Sequence, residues 1–236
     1  MALAVAETLD LERILTKGLE EAPLNRQEIL YLLGLENEDE IAGLFSAARA
    51  VRDRNFDKKI FMYGFVYFST HCRNNCSFCL YRKSNSEYSR YRKTEAEVLE
   101  TAQNLKDSGV HLLDFTMGED PHYYSGNHAG FTDLYAMVRK VKQLTGLPVM
   151  ISPGLVPEKV LAEFRQAGVD WYACYQETHN RELYNKLRLG QSYEQRMASK
   201  LQAHRQGLLI EEGLLTGVGD SPEDVADSLQ AMQQLH

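Results

Sequence analysis

From residue 60 to the end of the chain, segments with the apolar pattern of a β-strand alternate with segments that have the apolar pattern of an amphipathic helix. The segment IFMYGFVYFS (60–69) is rich in aromatic and β-branched residues and predicts a strand. After it, short apolar runs alternate with segments in which apolar residues recur every three to four positions, as in an amphipathic helix. Further strands are predicted within VHLLDFTMG (110–118), LPVMISPG (147–154), VDWYACYQET (169–178) and LLIEEGLLTGVG (208–219).

Capping residues mark the ends of the intervening helices. Thr94 and Glu97 predict a capping box at the start of KTEAEVLETAQNLKDSG (93–109). Ser221 is predicted as the N-cap of the last helix, with Pro222 at its first position. Other helices are predicted within 131–146 and 156–168, and around Leu183 and Met197. Glycine, which readily takes the left-handed conformation that ends a helix, precedes the strands at Gly109, Gly146, Gly168 and Gly207.

This alternation predicts parallel βαβ units and therefore the α/β fold class. We expect a TIM-type (β/α) barrel of about five units in residues 60–236, preceded by a helical N-terminal region in residues 1–59. A closed barrel needs about eight such units and an open one about six. Because the sequence stops after the fifth helix, we expect it to be a fragment that lacks the C-terminal part of the barrel.

Composition and charge exclude several classes of protein. At 236 residues and 44% hydrophobic content, the chain can form one large domain or two small ones. Its formal charge of -7 gives no indication of a nucleic-acid or membrane partner. The start MALAVAETLDLERIL acquires acidic residues too early for a secretory signal, and no apolar run approaches membrane-spanning length. We therefore expect a cytoplasmic protein with reduced thiols.

Three cysteines occur within eight residues, with the spacing C-x3-C-x2-C at Cys72, Cys76 and Cys79. A disulfide would leave an odd thiol in this triplet. Zinc with His71 as fourth ligand is one alternative, although adjacent residues rarely point at one ion and structural zinc sites usually combine two separated pairs. Iron–sulfur clusters are held by thiolates in short loops of this kind, and three thiolates on a four-iron cube leave one iron open.

With Phe78 directly before the last cysteine, the triplet resembles the signature of the radical S-adenosylmethionine superfamily. The resemblance implies a [4Fe–4S] cluster and S-adenosyl-L-methionine as cofactors, with the methionyl amine and carboxylate on the open iron. It also implies reductive cleavage to a 5′-deoxyadenosyl radical, which removes hydrogen from a small-molecule substrate. An electron donor such as flavodoxin or ferredoxin is then required as a partner.

Active sites of such barrels collect at the carboxyl ends of the strands. MGEDP (117–121) resembles the family's GGE motif, with Met117 in place of the first glycine, and this implies that Gly118 and Glu119 meet the methionyl ammonium, largely through backbone oxygens. The alternative is a strand-end turn with a solvated Glu119. Ser152 either bonds the cosubstrate or is an ordinary turn residue.

The last two strand ends supply further residues. Glu177 follows an apolar and aromatic run, where an unpaired carboxylate is costly, and Arg196 is a possible cationic partner. Either residue could contact the cosubstrate, and a purely structural ion pair is the alternative. GLLTGVGD (213–220) resembles the family's adenine motif, which places Leu215 and Gly217 among the cofactor-binding residues.

Within the superfamily, four segments are similar to the methylornithine synthases of pyrrolysine biosynthesis. The resemblance implies isomerisation of L-lysine to 3-methylornithine, the first step of that pathway. Hydrogenase maturases and biotin synthases share the scaffold and are the alternatives. The four segments are STHCRNNCSFCLYRKSNSEYSRYRKT, TMGEDPHYY, YQETHNRELYNKLRLGQSYEQRM and EEGLLTGVGDSPED.

Asp114 lies in the middle of a predicted strand, two residues before Thr116 and four before Gly118. Strand alternation puts these positions on one face, which we expect to be inside the barrel. A buried carboxylate is costly unless it meets a cation, so a substrate ammonium is a suitable partner. The alternative is a local hydrogen bond to the backbone or to Thr116.

Two other features of the sequence, Cys174 and a basic stretch, are not expected to bind a cofactor or substrate. Cys174 is predicted to be a small buried apolar residue. The basic stretch with Tyr88 and Tyr91 is expected to neutralise a local anion or to cover the cysteine loop rather than to bind nucleic acid. It comprises Arg82, Lys83, Arg90, Arg92 and Lys93. A zinc-stabilised interaction domain and an electron-transfer module are the non-enzymatic alternatives.

Overall fold

A computed structural model of the protein describes residues 9–235. The prediction that the chain has no secretory signal depends partly on Glu7, which lies outside the described residues. The chain divides into two compact units, of which the larger is residues 61–215. The smaller combines the described residues before position 61 with those after 215. The predicted domain boundary between residues 59 and 60 stays a prediction.

The elements of the described residues follow the predicted alternation. The helices are α1 (Leu11–Leu19), α2 (Arg26–Leu33), α3 (Glu38–Phe56), α4 (Glu95–Asp107), α5 (Pro121–Tyr124), α6 (Phe131–Thr145), α7 (Glu158–Ala167), α8 (Arg181–Leu187), α9 (Tyr193–Arg205) and α10 (Pro222–Gln233). The strands are β1 (Tyr63–Ser69), β2 (Asn75–Cys76), β3 (Leu112–Met117), β4 (Val149–Ser152), β5 (Trp171–Ala173), β6 (Arg188–Leu189) and β7 (Leu209–Glu211).

The larger unit is built on a parallel sheet in the order β1-β3-β4-β5-β7. The helices that return the chain between these strands pack in sequence, α4 on α6, α6 on α7 and α7 on α9. This confirms the predicted α/β class with five parallel strands. In the described residues β1 and β7 are the two edges of the sheet, so the sheet is not closed into a ring.

Strand register separates the core from the opposite face of the sheet. Val66, Phe115 and Ile151 are side by side in register and fully buried, and they belong to the apolar core shared with the helices. The neighbouring row contains Tyr67, Thr116 and Ser152, which alternation turns to the other face. The polar side chains that could take part in a reaction therefore lie on the face of the sheet that points away from the helices.

A short antiparallel pair, β2 with β6, was not predicted. It pairs Asn75 with Leu189 and Cys76 with Arg188, and so joins the cysteine loop to the segment that links α8 and α9. Two-residue strands carry no periodic signal, which is why the sequence pattern does not reveal them. The predicted first strand also begins three residues late, at Tyr63.

The smaller unit contains α1, α2 and α3 together with α10, and α1 packs on α3 while α2 packs on α10. Arg26 on α2 forms an ion pair with Asp227 on α10, with 2.5 Å between Nε and Oδ1. Ser221 and Pro222 start α10 as predicted, in a capping box closed by Asp224. Among all described helices, none is both long and apolar enough to cross a membrane.

Candidate active site

One cavity of the larger unit is lined by residues from the carboxyl ends of four strands and from the cysteine loop. It brings together nine of the residues predicted from the sequence. These are Cys72, Cys76, Phe78, Cys79, Gly118, Glu119, Ser152, Glu177 and Arg196. Leu215, Gly217 and Asp114 are not among the residues that line it.

Gly118 allows the end of β3 to approach the cysteine loop closely. A Cβ atom at this position would lie 2.3 Å from the carbonyl oxygen of His71 and 2.9 Å from Cβ of Cys72. The Gly118 amide donates a hydrogen bond of 3.0 Å to the carbonyl of Ser69, the last residue of β1. The glycine of the predicted motif is therefore required by packing, whatever it does for a ligand.

Hydrogen-bond donors surround the cysteine sulfurs. Gln191 Nε2 lies 3.1 Å from Sγ of Cys76, and Nη1 of Arg188 lies 3.7 Å from the same sulfur. The Asn74 amide donates to Sγ of Cys72 at 3.4 Å. Such donors favour a thiolate, the form that ligates metal, but in Cys72 burial outweighs the Asn74 donor and raises the pKa of the thiol. The sequence does not single out Arg188 or Gln191 as site residues, because Arg188 follows α8 and resembles an ordinary basic residue at a helix end.

The arrangement of the thiols fits a polynuclear cluster better than a single ion. Among the described residues, no group of three or more His, Cys, Asp or Glu side chains is placed to hold one metal ion. The three thiols nevertheless line one cavity and are unpaired. A four-iron cube binds each thiolate at a different corner, so its ligands need not converge on one point. The residues present fit the cluster that the family resemblance implies.

Glu177 is paired with Arg188, not with Arg196 as suggested by the sequence. Nη2 of Arg188 lies 2.6 Å from Oε1 of Glu177 and 2.8 Å from the carbonyl oxygen of Tyr175. Burial raises the pKa of Glu177, and the opposing effect of Arg188 does not cancel this. The backbone of Glu177 is left-handed, with φ 70°, a strained conformation for a residue with a side chain.

Arg196 on α9 lies buried at the same cavity and is held by the backbone. Its Nε donates to the Tyr175 carbonyl at 3.1 Å, and its Nη1 lies 3.9 Å from Oε1 of Glu119. Both guanidinium groups, those of Arg188 and Arg196, thus share one carbonyl oxygen at the end of β5. This fixes two positive charges beside the cysteine loop.

Glu119 is 5% exposed, so the alternative of a solvated turn residue is wrong. Its carboxylate accepts from Nε of Arg73 and from the amide of Leu155, each at 2.9 Å. Gly154 makes room for it, since a Cβ there would lie 2.3 Å from Cγ of Glu119. Glu119 therefore ties the end of β3 to the cysteine loop and to the segment after β4.

The segment predicted to contact adenine is held against Glu177. The Glu177 amide donates to the carbonyl of Gly213 at 3.1 Å, and the Leu215 amide donates to the carbonyl of Glu177 at 2.8 Å. A Cβ at Gly213 would lie 3.0 Å from the Tyr175 ring. Gly217 follows in the smaller unit with φ 79°. The adenine role of Leu215 and Gly217 stays a prediction.

Asp114 is 2% exposed and lies on β3 in register with Phe65 and Met150. Its Oδ1 and the hydroxyl of Thr116 are buried without a hydrogen-bond partner among the described residues. Thr116 is in register with Tyr67 and Ser152, which line the cavity. Asp114 is therefore on the cavity face of the sheet, one layer of side chains deeper, about 7 Å along the strand.

The charge state of Asp114 follows from this environment. The pKa of Asp114 is raised to about 7, mainly by burial; the Thr116 hydroxyl lowers it in part, and the nearby carboxylate of Glu211 adds to the rise. A buried carboxyl whose Oδ1 has no hydrogen-bond partner is a costly feature that a positively charged ligand would relieve. The predicted inward position is confirmed in the structure, while the substrate role stays a prediction.

A family model described as the radical SAM superfamily matches residues 66–232. The chain belongs to the radical SAM superfamily. The [4Fe–4S] cluster and S-adenosyl-L-methionine predicted from the sequence are the cofactors of this superfamily. The matched region contains the cysteine triplet and every strand end that lines the cavity.

Individual relatives are also similar. The chain is 43% identical to the 3-methylornithine synthase of Methanosarcina acetivorans over 226 residues, which cover 96% of this chain and 63% of that protein. A crystal structure of methylornithine synthase matches with a TM-score of 0.87 and 43% identity, covering 94% of this chain and 64% of the other. The [FeFe] hydrogenase maturase subunit HydE of Thermotoga maritima is 27% identical, over 94% of this chain and 62% of its own length. The radical SAM chain thus spans less than two thirds of the length of these relatives.

Proposed function

We propose that this protein is a radical S-adenosylmethionine isomerase that converts L-lysine to 3-methylornithine. The proposal depends on one juxtaposition. A cavity lined by three cysteines lies one layer of side chains above Asp114, a buried carboxyl with an unpaired oxygen on the same face of the sheet. The similarity to methylornithine synthases supports this choice of reaction over those of other superfamily members.

The cysteine loop would hold the cluster through Cys72, Cys76 and Cys79. When bound, the cluster and S-adenosyl-L-methionine supply a carbon-centred radical that removes a hydrogen atom from the substrate. Gln191 and Arg188 donate toward Sγ of Cys76 and fix the position of that sulfur. The aromatic rings of Phe78 and others in the cavity wall exclude water from the site.

The two buried arginines, Arg188 and Arg196, differ in their capacity to bind the cosubstrate. Arg188 is already neutralised by Glu177, whereas Arg196 is 3.9 Å from its nearest carboxylate and retains donor capacity toward the cavity. We assign Arg196 to the carboxylate of S-adenosyl-L-methionine. Glu177, Ser152 and the backbone of Gly118 are assigned to its remaining polar groups.

An Arg196→Ala variant is expected to bind S-adenosyl-L-methionine about 10- to 150-fold more weakly, which corresponds to the loss of a charge-assisted contact of about 1.5–3 kcal/mol. Equilibrium dialysis of the anaerobically reconstituted protein measures the affinity, and the iron content shows whether the cluster is intact. Arg181→Ala is the matched control, because this exposed arginine does not line the cavity and forms its ion pair with Glu194 on the surface. Equal affinities in the two variants, with full iron content, would make Arg196 a structural residue.

The reaction itself is tested on the complete gene product, purified and reconstituted without oxygen. With L-lysine, S-adenosyl-L-methionine and a strong reductant, we expect 3-methylornithine and 5′-deoxyadenosine to be formed. Mass spectrometry of both products measures the outcome. If 5′-deoxyadenosine appears but no methylornithine is formed from lysine, the isomerase assignment is wrong and a maturase-like or biotin-synthase-like reaction takes its place.

A further inference from the structure

The segment that follows the last cysteine of the triplet is strongly basic. Between positions 80 and 93 it contains five Lys or Arg residues and a single acidic one, Glu87, in a chain of formal charge -7. We call the surface formed by its exposed and half-buried side chains the basic patch. Its members are Leu80, Arg82, Lys83, Tyr88, Arg90, Tyr91 and Lys93.

Apolar surface is exposed within the same patch. Leu80 is 54% exposed, Tyr88 47% and Tyr91 42%. Lys93 Nζ lies 5.8 Å from the centre of the Tyr91 ring. Aromatic and aliphatic side chains among positive charges are typical of a surface that binds a protein partner of opposite charge.

The basic patch is directly connected to the wall of the cysteine cavity. Leu80 is bonded to Cys79, and Tyr81 is one of the residues that line the cavity. The ring of Tyr81 lies 5.5 Å from that of Tyr67, which also lines the cavity, and 5.4 Å from the guanidinium carbon of Arg90. One layer of side chains therefore separates the patch from the thiols.

Arg90 orders the patch from beneath. It donates to the carbonyl oxygens of Thr70, Arg82 and Asn85 at 2.8–2.9 Å. The C-terminal end of the segment is held beside the end of β1, with hydrogen bonds from the Thr70 amide to the Tyr91 carbonyl and from the Lys93 amide to the Phe68 carbonyl. A surface that is ordered beforehand loses little conformational entropy when a partner binds.

The positive charge of the patch is not neutralised internally. Arg92 pairs with Asp120 and so meets a local anion, as expected from the sequence. By contrast, Arg82, Lys83 and Arg90 form no ion pair with any residue that the structure describes. The patch therefore presents a positive potential next to the end of the cysteine loop, where Leu80 is exposed.

We propose that the basic patch is the docking surface for a small acidic electron-transfer protein. This inference depends on the proposed function, since it requires a [4Fe–4S] cluster on the three cysteines. In the docked complex the reduced carrier loses one electron, and the oxidised cluster gains it; no bond is formed or broken and no proton is required. A nucleic acid fits less well, because the acidic chain repels a long polyanion beyond the patch.

The experiment compares two reductants on the reconstituted protein. The double variant Lys83→Glu with Lys93→Glu reverses two charges of the patch without changing a cavity residue. Stopped-flow bleaching of the cluster gives the rate of its reduction by reduced flavodoxin and by reduced methyl viologen. At low ionic strength we expect the flavodoxin rate constant to fall about tenfold or more, because steered association is sensitive to charge. The viologen is a small cation, so its rate is not expected to fall.

The matched control reverses two exposed lysines outside the patch, Lys106→Glu with Lys159→Glu, and we expect its flavodoxin rate to equal that of the wild type. We also expect the difference between patch and control variants to shrink at high salt, where charges are screened. Equal flavodoxin rates in the patch and control variants would place docking elsewhere. A protein without a reducible cluster would overturn the proposed function as well, and tight binding of oligonucleotides that is lost in the patch variant would replace the carrier by nucleic acid.

Discussion

Replacing Cys76 with alanine is expected to abolish the four-iron cluster and all cleavage of S-adenosyl-L-methionine. Cys76 is the buried member of the triplet, and its sulfur receives donors from Arg188 and Gln191. Loss of this thiolate removes one of three ligands and leaves the two donors facing a cavity. Iron and sulfide analysis after anaerobic reconstitution, with the absorbance of the brown protein, measures the result.

The chain supplies its own control for this experiment. Cys174 is a buried cysteine in the same cavity, beyond the triplet. A Cys174→Ala variant is expected to keep its iron, because this side chain belongs to the apolar core as well as to the cavity wall. Stoichiometric zinc with negligible iron in the wild type would contradict the cluster and favour the zinc-stabilised domain.

An Asp114→Asn variant is expected to retain its cluster and to bind S-adenosyl-L-methionine, yet to lose most of its lysine turnover. The substitution keeps the shape of the side chain and removes the charge that a lysine ammonium would meet. Removing one partner of a buried charge pair typically costs about 3–5 kcal/mol, or roughly 10²- to 10³-fold or more in turnover. Methylornithine formation, followed together with release of 5′-deoxyadenosine, measures the effect.

The same variant is expected to change the pH dependence of stability in the absence of lysine. Because burial raises the pKa of Asp114 to about 7 in the folded state, the folded protein holds this proton more tightly than the unfolded chain. The wild type therefore loses stability as the pH rises from about 4 to about 7, by about 4 kcal/mol in total. Asp114→Asn lacks this loss and is expected to unfold at a higher temperature than the wild type at pH 8.

Two comparisons make the Asp114 prediction specific. Asp133→Asn, which removes the charge of an exposed residue on α6, is expected to leave both turnover and pH dependence unchanged. Lysine is expected to raise the unfolding temperature of the wild type at pH 8 more than that of the Asp114→Asn variant. Normal methylornithine yield from Asp114→Asn would exclude this residue from substrate binding.

Local sequence signals determined most of the fold. The capping box of Thr94 and Glu97 starts α4 in the structure, and Gly146 and Gly168 end their helices in the left-handed conformation. These caps depend on residues within one helical turn of each other, so they can be predicted from the local sequence alone. The cysteine spacing is equally local, and together with Phe78 it carries the family resemblance that implies a cluster.

The sequence also determined the inward position of Asp114. Its alternation with Thr116 required only that the segment be a strand, and both side chains are on the cavity face. What remained undecided was whether a local hydrogen bond satisfies the carboxylate. The structure leaves Oδ1 unpaired, which a strand pattern cannot show because the answer depends on what the neighbouring strands place nearby.

Only the tertiary structure decided how the charges of the site are paired. Glu177 meets Arg188, eleven residues away, whereas the sequence suggested Arg196. Gln191 reaches Cys76 across 115 residues of sequence, through a two-residue strand pair that has no period of its own. Periodicity and caps report interactions between near neighbours in the chain. Which cation neutralises which buried carboxylate is set instead by the packing of distant loops, where water is excluded and each charge must find a partner.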